Sequence, residues 1–225
     1  MDLKKFFATS NTLRYAVESP VIKRLLQPIP TPVGRLLDCG CATGYYIDTI
    51  YRHIGKEVVG LEYDVNLFER LEKSVAKKRA NVKAVQGSIL ELPFENGQFD
   101  AVTCTQVIEH VEDDRRAASE LSRVATLSSF LLVSVPHPPA PWEEPGHCRE
   151  GYSKDQLERL FSPYGWTLLD LEYYLCSYVQ RLVRLTRKSR LPLPLVPLAK
   201  KEAKLSREQK LADSPYGLAC LFVRQ

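Results

Sequence analysis

A chain of 225 residues, 44% hydrophobic and 26% charged, is long enough for one large core and lies outside the composition of disordered or fibrous polymers. Its net charge of +4 is unevenly spread: residues 181–210 hold ten basic side chains against two acidic ones, +8, which leaves −4 on the remainder. Six cysteines without a CxxC pair, charges at Lys4, Lys5 and Arg14, and no run of 18 apolar residues argue against a disulfide scaffold, a cleavable leader and a membrane span, so a reducing cytoplasm is the expected location.

Apolar residues at helical spacing from Tyr15 to Leu26, stopped by Pro28, Pro30 and Pro32, predict an outer helix, and residues 1–34 are expected to form an N-terminal helical lid. From Arg35 the pattern alternates: strand 36–39, helix 44–54, strand 57–62, helix 65–79, strands 82–86 and 99–105, helix 112–125, strand 129–135. Such alternation predicts a parallel sheet covered on both faces. Ser153 with Gln156 three residues on reads as a helix N-cap, and Pro163 to Gly165 ends that helix. Strand-like runs follow at Trp166–Tyr174 and Tyr216–Arg224. Between them, at about 176–213, lies a basic insertion whose prolines at 192, 194 and 197 forbid a continuous helix, so a helix is expected on each side of an extended bend.

The most telling stretch is Leu36-Leu37-Asp38-Cys39-Gly40-Cys41-Ala42-Thr43-Gly44, followed by Val58-Val59-Gly60-Leu61-Glu62. A strand, a tight turn of small residues, a helix start and a second strand ending in an acid make the layout of a nucleoside-cofactor pocket. Gly40 and Gly44 let backbone amides approach a ligand, the helix start favours an anionic group, and Glu62, 22 positions after Gly40, can accept from ribose hydroxyls. Tyr45 stands where a dinucleotide site needs a third small residue, which weighs against a nicotinamide cofactor. Ala42 in this turn is expected at negative φ.

These segments, together with Gln86-Gly87-Ser88, Leu92-Pro93-Phe94, Phe99-Asp100-Ala101-Val102 and Val107-Ile108-Glu109-His110-Val111, resemble a class I S-adenosylmethionine-dependent methyltransferase of the type 11 branch over about residues 35–175. The resemblance implies an α/β, Rossmann-like, mostly parallel seven-stranded sheet with helices on both faces and an antiparallel last strand, with the methyltransferase domain at 35–225. It implies that Asp38, Gly40, Cys41 and Gly44 hold the amino-acid end of S-adenosylmethionine. Glu62 then holds the ribose, Tyr63 borders the adenine, Ser88 and Ile89 meet its edge, and Gln106 lies near the methionine moiety. Three positions depart from the family pattern: Ala42 replaces the middle glycine, Ser88 replaces an acid, and no Pro-Gly-Gly turn precedes the fifth strand around Ala125 to Ser129.

Ligands of open parallel sheets bind beyond the strand ends, which makes His137 and His147 the candidate general bases on the acceptor side. The expected acceptor is a small molecule or a lipid-linked group, and the basic insertion 181–210, rich in leucine, suits an anionic membrane surface. A nucleic-acid methyltransferase is the enzymatic alternative, weakened because the place after the fourth strand reads Thr105-Gln106-Val107 rather than an Asn/Asp-Pro-Pro-aromatic run. A non-catalytic scaffold that binds S-adenosylmethionine is the other. His137, Glu143, Glu144, His147 and Cys148 match no common zinc spacing, so no metal is expected.

Overall fold

The computed structural model of the chain describes residues 10–78, 81–139, 146–182 and 200–225. Seven strands form one sheet: β1 (Val33–Cys39), β2 (Gly55–Glu62), β3 (Val82–Gln86), β4 (Phe99–Thr105), β5 (Ala125–Pro136), β6 (Trp166–Tyr174) and β7 (Gly217–Arg224), in the order β3-β2-β1-β4-β5-β7-β6. The first five strands run parallel, and β7 is antiparallel to both β5 and β6. Among the described residues, the helices that accompany them include α1 (Ser10–Leu25), α2 (Tyr45–Thr49), α3 (Val65–Lys78), α4 (Asp114–Val124), α5 (Lys154–Phe161) and α6 (Arg207–Ala212).

Consecutive residues of a strand point to opposite faces, and paired apolar runs therefore fill two cores at once. Leu37, Val59, Val102 and Leu131 are in register across β2-β1-β4-β5 and pack with Leu121 of α4 and Phe161 of α5. Leu36, Val58 and Ala101 face the other way, toward Leu25 of α1, Ile47 of α2 and Leu71 of α3. Each fully buried Leu or Val contributes about 1.5–3 kcal/mol relative to exposure, so neither face can be left bare. The Ser153/Gln156 capping box that opens α5 is present as expected.

Two local expectations give way. The helix expected over 44–54 is broken: α2 ends at Thr49, Ile50 leaves the helical region at φ −136°, and a single 3-10 turn covers Tyr51–His53. Thr49 Oγ1 bonds back to the Tyr45 carbonyl at 2.8 Å, competing with the helical ladder at that point. Strand β5 starts at Ala125 rather than 129, with a register shift opposite Phe99–Ala101 and Ser128 at φ 62°. The bend expected within 191–197 lies outside the described residues; on its two sides, 177–182 and Arg207–Ala212 are helical.

The strand order reverses direction between β1 and β4. In open α/β sheets a crevice forms outside the strand ends at such a point, and here the loops after β1, β2, β3 and β4 meet around one cleft.

Candidate active site

After β1 the chain turns at Gly40 with φ +69°, a conformation that suits glycine; a Cβ there would stand 2.3 Å from Val107 Cγ2. The amides of Gly40 and Cys41 both donate to the Leu61 carbonyl, at 2.8 and 3.1 Å, which ties this turn to the end of β2. Gly44 closes the turn at φ 82° and caps α2. Ala42 corrects the expectation of negative φ: it sits at φ 49° in the left-handed region, at a cost of roughly 1–2 kcal/mol. Its amide donates to Glu62 Oε2 at 2.8 Å, and this bond holds the strained turn. A helix of five residues is also too short to exert the dipole that the sequence reading assigns to it.

Glu62 is 7% exposed and clamps two loops at once. While Oε2 takes the Ala42 amide, Oε1 takes the Asp64 amide at 2.9 Å. A carboxylate oxygen has two lone pairs, so each oxygen keeps one for a ligand hydroxyl. Glu62 forms one end of a cleft of about 570 Å³ whose walls include Leu61, Leu67, Leu90, Val107 and His110. Tyr63, 75% exposed, stands at its rim, and Ser88 and Ile89 line it from the loop after β3. Ser88 Oγ is occupied locally, accepting from the Leu90 amide at 3.2 Å.

Asp38 is buried below the turn. Thr103 Oγ1 donates to its Oδ1 at 2.8 Å, while Oδ2 has no hydrogen-bond partner among the described residues. Burial pushes its carboxyl up to about 7, the Thr103 bond opposes this, and the nearby charge of Glu62 adds to it. Cys41 turns its side chain away, toward Gly60 and the core beneath α2; its contribution to the turn is its backbone.

Gln106 lines the cleft at φ 56°, and its Nε2 reaches Tyr174 OH at 3.1 Å and Ser134 Oγ at 3.4 Å. Behind it lies a buried polar knot that the sequence reading misses. Glu18 of α1 accepts from Tyr46 OH and Tyr174 OH, both at 2.6 Å, and from Ser134 Oγ. Burial and then the Glu18 charge raise both phenols far above their usual range, so they remain donors. One glutamate thus fastens α1 to α2, β5 and β6. Only its burial betrays it, and a lone Glu in the helical pattern of α1 carries no signal of that. Beside the knot, Tyr45 stacks on Tyr15 at 4.0 Å between ring centroids, so an aromatic pair stands where a dinucleotide site needs a small residue.

The two histidines expected as candidate bases have different ring neighbours. His137 follows β5, is half-buried with its ring edge-on to Tyr173 at 5.2 Å, and burial lowers its pKa. His147 stands edge-on to the cleft-lining His110, ring centroids 4.5 Å apart. The loop that carries it is tied to the turn after β4: Arg149 donates to the carbonyls of Val111 and Glu112 at 2.7 and 2.9 Å and pairs with Asp114, and the Cys148 amide donates to the Glu109 carbonyl at 2.9 Å. Glu143 and Glu144 lie outside the described residues.

Comparison with known proteins agrees with this geometry. Residues 37–133 match the family model of the methyltransferase domain. A probable S-adenosylmethionine-dependent methyltransferase of Mycobacterium tuberculosis is 33% identical over 102 residues, 45% of this chain and 35% of that protein. A demethylmenaquinone methyltransferase of Staphylococcus aureus is 31% identical over 124 residues, 54% of this chain and 51% of that protein. The chain therefore spans about a third to a half of the length of these curated relatives. The fold superposes on an S-adenosylmethionine-dependent methyltransferase from Mesorhizobium loti with a TM-score of 0.66 at 17% identity, over 94% of this chain and 100% of that one. The matched segment is the one that builds the β1 turn, Glu62 and the β4 loop, and over it the chain is similar to S-adenosylmethionine-dependent methyltransferases.

Proposed function

We propose that this chain transfers a methyl group from S-adenosylmethionine to a small organic acceptor, and the observation that carries the reading is Glu62. Its carboxylate is fixed by two backbone amides, with lone pairs left over at the end of a cleft large enough for an adenosyl group. The residues present fit that cofactor. Glu62 would accept from the ribose diol, Tyr63, Ser88 and Ile89 would border the adenine, and Gly40, Cys41, Gly44 and Gln106 would surround the amino-acid end. Asp38 Oδ2, buried without a hydrogen-bond partner among the described residues, is the acceptor an ammonium group there would satisfy. When bound, S-adenosylmethionine supplies a sulfonium-activated methyl group.

The chain's own part is to hold the acceptor in line and to exclude water, which can lower such a barrier by roughly 7–11 kcal/mol. Where the acceptor carries a hydroxyl or amine, His137 or His147 takes the proton. Burial lowers the His137 pKa, which makes it a weaker base but leaves its lone pair available to accept a proton. The acceptor reading draws on the Staphylococcus aureus relative, whose name gives it a small-molecule acceptor. No helix of the described residues is long and apolar enough to cross a membrane.

The test is calorimetry with S-adenosylhomocysteine, followed by transfer of a labelled methyl group in separate reactions containing small-molecule extract, lipid extract and RNA. Micromolar binding and label in the first reaction are the expected results. Absence of binding removes the cofactor assignment, and label in RNA alone removes the acceptor class.

A further inference from the structure

Outside the cofactor contacts, one cluster joins a buried carboxylate and two imidazoles. The 3-10 turn after β4 brings Glu109 and His110 together, the loop after β5 adds His147, and one ligand atom from each lies within 4.8 Å of the others. We propose that Glu109, His110 and His147 form a site for a single divalent transition metal of the zinc class at the mouth of the cleft.

Three observations carry this. First, His110 Nδ1 lies 2.9 Å from the Gly146 carbonyl, and since a carbonyl only accepts, Nδ1 bears the hydrogen. That leaves Nε2 with its lone pair outward, and a metal-binding histidine is characteristically held by such a bond from its other nitrogen to a carbonyl. Second, Nε2 is 4.0 Å from Glu109 Oε1. This gap is too long for a hydrogen bond, yet one ion can bridge it at about 2.0–2.2 Å from each atom. Third, the Glu109 side chain is fully buried while His110 is exposed to the cleft, so an ion between them would be neutralised from the protein side and open on the other. Two imidazoles and one carboxylate suit zinc, cobalt or ferrous iron rather than magnesium or calcium, and three protein ligands with an open position mark a reactive site rather than a structural one. The loop bearing His147 is already pinned by Arg149 to the Val111 and Glu112 carbonyls, which keeps the third ligand near the other two.

The proposal runs against the sequence expectation of no metal, because the ligands come from two loops that only the fold joins. Its consequence for the acceptor rests on the methyltransferase reading. An oxygen or nitrogen of the acceptor would occupy the open position, and His147, once bound to the metal, could not take the proton, which leaves His137 for that role.

The experiment titrates the metal-free full chain with Co2+, read by visible absorption, and with Zn2+, read by calorimetry. One equivalent bound, with the intense absorption of four- or five-coordinate cobalt, is expected. His110→Ala and His147→Ala should each weaken binding by more than about a hundred-fold, while His53→Ala, exposed and remote from the cluster, should change nothing. If either variant fails to fold, zinc protection of His110 and His147 against diethylpyrocarbonate in the wild type, read by mass spectrometry, replaces it. A pale octahedral cobalt spectrum, full affinity in a folded histidine variant, or equal labelling with and without zinc would overturn the site. Metal uptake without S-adenosylhomocysteine binding would sink the methyltransferase reading and leave this site standing.

Discussion

Replacing Glu62 with glutamine separates two jobs that one carboxylate performs. In the native chain its two oxygens accept from the Ala42 and Asp64 amides at 2.8 and 2.9 Å, so the residue is part of the loop structure before any ligand arrives. Glutamine retains one carbonyl oxygen and places an NH2 group against the other amide. One charge-assisted bond is lost and one partly buried donor is left facing a donor, which should lower stability by about 1–3 kcal/mol. The ribose diol would lose a charged acceptor as well, a further 1.5–3 kcal/mol or so, equivalent to a roughly ten- to hundred-fold weaker affinity for S-adenosylhomocysteine. Urea denaturation reads the first quantity and calorimetry the second. Lowered stability with an affinity within about twofold of the wild type would show that Glu62 is a loop clamp alone, and the ribose assignment would fail.

Ala42→Gly should stabilise the chain by about 0.5–1 kcal/mol in urea denaturation, since relief of the left-handed alanine at φ 49° exceeds the entropy that glycine adds to the unfolded chain. Glu18→Ala deprives Tyr46, Tyr174 and Ser134 of their shared acceptor and should cost about 3–5 kcal/mol, seen first as loss of hydrogen-exchange protection in Ser10–Leu25. The Asp38 carboxyl, raised to about 7, keeps its proton in the folded chain over a range where the unfolded chain has lost it. Stability contributed by this group therefore falls as pH rises from about 4 to 7, by at most about 4 kcal/mol. Asp38→Asn should flatten that part of the pH profile of the melting temperature, and an unchanged slope would refute the shift.

Most of the sheet could be read from the sequence because its central strands are apolar on both faces. Leu36-Leu37 and Val58-Val59 send one residue into each core, which leaves continuous apolar runs between turn residues. The Ser153 cap was equally plain, since its partner is three residues away. Misread positions answer to non-local forces. Ala42 takes positive φ because Glu62, twenty residues later, receives its amide, and α2 stops where Thr49 bonds backward. The cofactor candidates around Gly40 and Glu62 lie in one segment with a local pattern. Glu18, 156 residues from Tyr174, and the pairing of His110 with His147 have no such pattern, and only the folded chain reveals them.

The placement of β7 between β5 and β6 has a consequence for how the molecule is completed. β6 leaves the ribosome before β7 but has no hydrogen-bonding contact with β5; its pairing in the sheet is with β7. That flank must therefore wait, exposing the inner edge of β5, until the later strand arrives to bridge the gap, and such delayed long-range pairing is slow. Chaperone dependence during synthesis should accordingly concentrate on this side of the sheet, while the half from β3 to β4 can assemble early.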